Sequence, residues 1–197
     1  MARIGEIVET STVRLIAESD RLHDLPPLGA IVRISAGDGG AVYGVVSFGV
    51  TGGLDPSRPA VRRGSDAVRD DEIYRRHPEL NQILRTMFEI VPIAFTEDGR
   101  TVPGLPPVPP RLHYSVEPVD PIELRRLTDQ PRYLSLLARH QGDVPGDALL
   151  AAHVRYVYRA RGGDSDWLDR IAQDVARLLN ADYDRLVEIL EAIAPAV

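Results

Sequence analysis

Four stretches decide how this chain is read: Arg3-Ile4-Gly5-Glu6-Ile7-Val8-Glu9, Thr12-Val13-Arg14-Leu15-Ile16-Ala17-Glu18, Leu28-Gly29-Ala30-Ile31-Val32-Arg33-Ile34, and Val42-Tyr43-Gly44-Val45-Val46-Ser47-Phe48-Gly49-Val50. Period-two alternation rich in β-branched residues is the signature of a strand. In the first, Ile4, Glu6 and Val8 share one face and Arg3, Gly5, Ile7 and Glu9 the other. In the second, Val13, Leu15 and Ala17 oppose Thr12, Arg14, Ile16 and Glu18. Thr10-Ser11 turns the first pair. Asp24-Leu25-Pro26-Pro27 interrupts the ladder, because proline has no N–H to donate. Gly37-Asp38-Gly39-Gly40 predicts a tight hairpin turn before the fourth strand. Gly44 and Gly49 inside that strand predict bulges or bends, which a closed barrel needs at its corners.

Beyond Val50 the pattern changes. Residues 51–69, with Pro56 and Pro59, read as a long surface loop. Asp70-Asp71-Glu72 suits a helix start, where carboxylates meet the positive end of the dipole. A second helix is expected over Pro78–Met87, with Leu80, Ile83, Leu84 and Met87 on one face. Phe88–Phe95 returns to extended structure, and Asp98-Gly99 turns it toward Arg100-Thr101-Val102. Residues 103–121 hold seven prolines and are expected to be stiff and extended, with a closing strand at His113-Tyr114-Ser115-Val116. Helices are expected thereafter, over Pro121–Leu127, Arg132–His140, Gly146–Arg159, Asp166–Leu179 capped by Asp164 or Ser165, and a last one capped by Asp182. Short links between amphipathic helices imply an antiparallel bundle. The expectation is an α+β protein: a small closed β-barrel of about six strands with a short helical insertion, residues 1–118, then a C-terminal helical bundle, residues 119–197.

Composition bounds the chemistry. All 23 basic residues are arginine. A P-loop and Schiff-base chemistry both need a lysine, so neither is available. No cysteine is present, which removes disulfides and thiolate metal sites. The net charge of −6 argues against whole-surface attraction to DNA. Residues 1–118 hold 13 Arg against 16 Asp and Glu, and residues 119–197 hold 10 against 13, so neither part is a basic arm. No apolar run reaches the roughly 20 residues of a membrane helix. The start, Met1-Ala2-Arg3-Ile4-Gly5-Glu6, lacks the apolar run of a secretory signal, and a cytoplasmic protein is expected.

Ile4-Gly5-Glu6-Ile7-Val8, Pro27-Leu28-Gly29-Ala30-Ile31-Val32 and Tyr43-Gly44-Val45-Val46-Ser47-Phe48, together with Phe88-Glu89-Ile90-Val91 and Pro106-Pro107-Val108-Pro109, resemble the HerA–ATP synthase (HAS) barrel as an ordered set. The resemblance covers roughly residues 1–118. The ATPase that follows this barrel in HerA proteins is missing here, so ATP hydrolysis is not carried over. The resemblance implies a non-catalytic accessory or docking subunit. Its partners would be a HerA-type ATPase or a NurA-type nuclease of a DNA-end-processing assembly. DNA would be reached only through the partner, and an oligomer is compatible with the reading. The rival is a barrel that binds single-stranded nucleic acid directly.

No catalytic, cofactor-binding or metal-ligating residue is assigned. His23, His77, His113, His140 and His153 form no i,i+4 pair, and His153 sits on an apolar helix face where a satisfied buried histidine is expected. Asp70-Asp71-Glu72 reads as a solvated helix start rather than a cation site. Gly44–Gly49 has the wrong spacing for a nucleophile elbow. Two arginine groups are candidate interaction surface: Arg62, Arg63, Arg75 and Arg76, and then Arg155 and Arg159 with Tyr156. Each has a plainer alternative, a salt-bridged surface for the first and a solvated helix face for the second. Trp167 is expected in the core.

Overall fold

The computed structural model describes residues 2–55, 60–180 and 182–194. Seven strands form among them: β1 (Gly5–Thr10), β2 (Leu15–Ser19), β3 (Ile31–Gly37), β4 (Gly40–Gly53), β5 (Leu84–Glu97), β6 (Arg100–Pro103) and β7 (Ser115–Pro118). They pair antiparallel in the order β2-β1-β7-β3-β4-β5-β6, and β2 also pairs with β5. That last pairing closes six strands into a barrel and leaves β6 outside it, flanking β5. Closure removes the free edges on which strands aggregate.

The turns follow the sequence. Gly37, Asp38 and Gly39 all take positive φ in the β3–β4 hairpin, and Asp98 and Gly99 do so between β5 and β6. Pro92 sits inside a long buried strand, which proline ordinarily cannot do. It falls where β5 changes partner: β2 pairs with β5 only as far as Ile90, and β6 only from Ala94. No ladder bond is demanded of Pro92 on that side. The register between β4 and β5 shifts twice. One shift passes over Ile93 beside Gly44, and the other passes over Ser47. Gly44 is therefore at a bulge, as expected. Gly49 is not; it pairs regularly with Phe88, and Leu25 fills the space a side chain would need.

Two other expectations are corrected. β4 runs on to Gly53, so the loop starts later than residue 51, and Pro56 and Pro59 lie outside the described residues. The helix expected over Pro78–Met87 is a single turn, α2 (Leu80–Ile83), and Leu84 through Met87 belong to β5. The i,i+3,i+4 spacing of Leu80, Ile83, Leu84 and Met87 mimics a helix stripe. Pairing wins because the far half of β4, Val50 to Gly53, takes Leu84 to Met87 as its partner. Before it, α1 (Asp71–Arg76) starts on Asp71 and Glu72 as expected.

Helices α3 (Pro121–Thr128), α4 (Leu134–Ala138), α5 (Gly146–Ala160), α6 (Ser165–Leu178) and α7 (Tyr183–Ile193) follow β7. Asp120, Asp164 and Asp182 accept backbone N–H groups at three of the starts. Two cores result. Ile7, Leu15, Ala17, Val32, Ile34, Val42, Val46, Phe88 and Ile90 fill the barrel. Ile31, Tyr43, Val45, Val91 and Ile93, on the outside of β3, β4 and β5, join Leu127, Leu137, Leu149, Leu150, Val154, Trp167 and Ile171 in a second core with the helices. The wall made by these three strands is therefore buried on both faces, and the helices lie against it.

Candidate functional site

Gly29, two residues before β3, joins barrel to helix. It takes φ +85°, and His153 on α5 is so close that a Cβ on Gly29 would stand 2.5 Å from the His153 backbone nitrogen. The Gly29 carbonyl accepts from His153 Nδ1 at 2.8 Å. A carbonyl only accepts, so Nδ1 carries the proton, and Nε2 accepts the Tyr133 hydroxyl at 3.0 Å. His153 is thus the buried, satisfied histidine expected from its place on α5. Burial pushes its imidazole down to about 4, and burial likewise pushes the Tyr133 phenol up.

The His153 shift has a consequence for acid stability. The unfolded imidazole titrates near 6.5 and the folded one near 4, so the unfolded chain takes up the proton first as pH falls. The stability linked to this group is whole above pH 6.5 and drains away toward pH 4, by about 3 kcal/mol. Urea midpoints measured across that window should fall more steeply for the native protein than for His153→Gln. Parallel slopes would show that another group sets the acid limit.

Beside this joint lies an apolar pocket of about 260 Å³. It is formed by Ile4, Leu25, Pro26, Pro27, Pro118 and Tyr156 with the start of β3, and Asp24 is the one acid lining it. Tyr156 is half-buried and packs against both cores. No partner holds its hydroxyl among the described residues, and burial pushes its phenol up. The rest of the second arginine group goes elsewhere. Arg155 and Arg159 are exposed, and Arg155 donates to the Ala192 carbonyl at 2.6 Å near the end of α7. Neighbouring Arg161 is buried, held by Asp129 at 2.9 Å and Asp164 at 3.2 Å, and stacked over Trp167. It is structural.

The first arginine group is mostly paired. Arg75 and Arg76 both meet Glu72, at 3.5 and 2.8 Å, and Arg63 meets Glu79 at 3.7 Å. The Arg76 hydrogen bond holds the Glu72 carboxyl below the usual carboxylate range. Arg62 is exposed. These exposed pairs contribute little to stability. The structure does not bring the two groups together into one patch. The residues that sequence reasoning missed are Ile4, Leu25, Pro26, Pro27 and Pro118; Pro26-Pro27 was visible as a break in the strand ladder, but nothing in the sequence placed it beside Tyr156. Among the described residues no group of three or more His, Asp or Glu could hold a metal ion, and no helix is long and apolar enough to cross a membrane. No protein-family model matches the chain, and no curated protein matches it.

Proposed function

We propose that this chain is a non-catalytic docking subunit of a HerA/NurA-type helicase–nuclease assembly acting in DNA repair in the cytoplasm. The HAS-like barrel is the docking module, and helices α3–α7 serve as a C-terminal helical bundle bracing one side of it. The observation that carries the reading is the Tyr156 pocket. It is an open, mostly apolar recess with the free Tyr156 hydroxyl and Asp24 at its lining, built where barrel and helix meet. A recess of this size takes one anchoring side chain of a protein partner, and aromatic anchors of this kind dominate interface energetics. The filled barrel interior leaves no room there for a ligand, which also favours work at the outer surface.

The rival, direct binding of single-stranded nucleic acid, needs aromatic side chains free to stack on bases. Tyr43, Phe88, Tyr133 and Trp167 are spent in the two cores, and the exposed Tyr183 lies on α7, outside the barrel. Affinity purification of the tagged chain from its own host, with mass spectrometry of the eluate, tests the proposal. Recovery of a HerA-type ATPase or NurA-type nuclease is expected, and Tyr156→Asp should reduce that recovery at least tenfold. A bare chain, or one carrying only nucleic acid, would overturn the docking reading.

A further inference from the structure

A second surface stands apart from the docking pocket. The β5–β6 hairpin and the α3–α4 connection enclose a cleft of about 580 Å³. Three arginines line it: Arg100 from the hairpin, Arg126 from α3, and Arg132 from the turn before α4. Arg126 donates to the Thr101 hydroxyl at 3.2 Å, which ties the helix end to the hairpin. No carboxylate partners any of the three among the described residues. Asp129 is the one acid lining the cleft, and its charge is engaged by Arg161 at 2.9 Å. Several exposed arginines elsewhere do have carboxylate partners, as Arg3 has Asp20, Arg76 has Glu72 and Arg177 has Asp174, while Arg62 and Arg159 have none among the described residues; what sets Arg100, Arg126 and Arg132 apart is that all three line one cleft. In a chain of net charge −6, three unpaired guanidiniums converging on one recess make a local positive site against the overall field.

We propose that this cleft binds a small phosphorylated molecule of nucleotide size through Arg100, Arg126 and Arg132. Guanidinium forks match the oxygens of a phosphoryl group two at a time, with strong charge-assisted hydrogen bonds. Three of them exceed what one carboxylate can use. The volume falls within the roughly 300–1,000 Å³ of small-molecule sites, well beyond a bare phosphate ion. Ala94, Pro103 and Leu127 supply apolar wall for the body of the ligand, and the Gln130 amide adds a polar contact.

Calorimetric titration of the full chain at low ionic strength tests this, with ADP, inorganic pyrophosphate and adenosine as probes. ADP and pyrophosphate should bind, ADP the more tightly, and adenosine should not. Arg100→Ala and Arg132→Ala should each weaken ADP binding about tenfold or more. Both residues are exposed, so the variants should fold, which circular dichroism checks. Arg62→Ala, on the loop between β4 and α1, should leave the affinity unchanged. The proposal is overturned by silence with both phosphorylated probes, by equal weakening in Arg62→Ala, or by binding of a single-stranded oligonucleotide where ADP does not bind. Any of these results leaves the docking proposal standing, because Tyr156 takes no part in the cleft.

Discussion

Gly29→Ala is expected to destabilise the protein by about 4 kcal/mol, a large effect for the addition of one methyl group. Two costs combine. A positive φ costs an L-residue about 1–2 kcal/mol. The larger cost is steric. The new Cβ would meet the His153 nitrogen at 2.5 Å, the Ala152 carbonyl carbon at 2.6 Å and the His153 Cα at 2.7 Å. All three are backbone atoms, so no rotamer change relieves the clash. The start of β3 would have to withdraw from α5, stretching the His153–Gly29 hydrogen bond and the Gly29 N–H bond to the Val46 carbonyl. Gly39→Ala is the control. It shares a positive φ of 77° but has no atom within 4 Å of the added carbon, so strain alone applies and about 1 kcal/mol is expected. For a chain of this size the Gly29 variant should melt roughly 8–16 °C lower than the native protein. Equal losses in the two variants would mean that barrel and helix do not meet closely at Gly29.

Trp167→Ala should cost about 3–5 kcal/mol. Trp167 is fully buried on α6 among the apolar side chains of the second core. Its indole N–H donates to the Thr128 carbonyl at 2.8 Å, and its ring lies under the Arg161 guanidinium at 5.4 Å. Truncation opens a cavity, strands a buried carbonyl and strips the ring from an arginine that also bonds Thr128 and Asp129. Three elements, α3, the turn after it and α6, loosen together. Because this is the only tryptophan, unfolding is followed by far-ultraviolet circular dichroism rather than by intrinsic fluorescence. A loss below about 1.5 kcal/mol would contradict the buried position.

The barrel was legible because half-buried strands must alternate, which β2 does cleanly around Leu15 and Ala17 and β1 less cleanly, its register against β2 shifting between Ile7 and Glu9. Two helix starts were legible because Asp164 and Asp182 each offer a carboxylate to free N–H groups; the Asp120 cap of α3 was seen only in the structure. β3 to β5 blur the alternation, since their wall is buried on both sides: Ile31 and Tyr43 face helices while Val32 and Val42 face the barrel. That near-continuous apolar run carried the information that helices cover this wall. The short apolar run at Leu80–Met87 fitted both periods, and only the unpaired half of β4 decides it. The sites were less legible. Tyr156 stood out by type, but its neighbours Ile4, Leu25 and Pro118 come from distant parts of the chain. Arg100, Arg126 and Arg132 form no run, and only the placing of α3 against the β5–β6 hairpin brings them together.

The docking claim is tested most directly by hydrogen–deuterium exchange of the purified chain, alone and mixed with the HerA-type ATPase of its own host. The account predicts slowed exchange in the partner's presence at residues 24–30 and along the Tyr156 turn of α5, with α6 and α7 unchanged. Identical exchange with and without the ATPase, at concentrations where the ATPase is assembled, would contradict it.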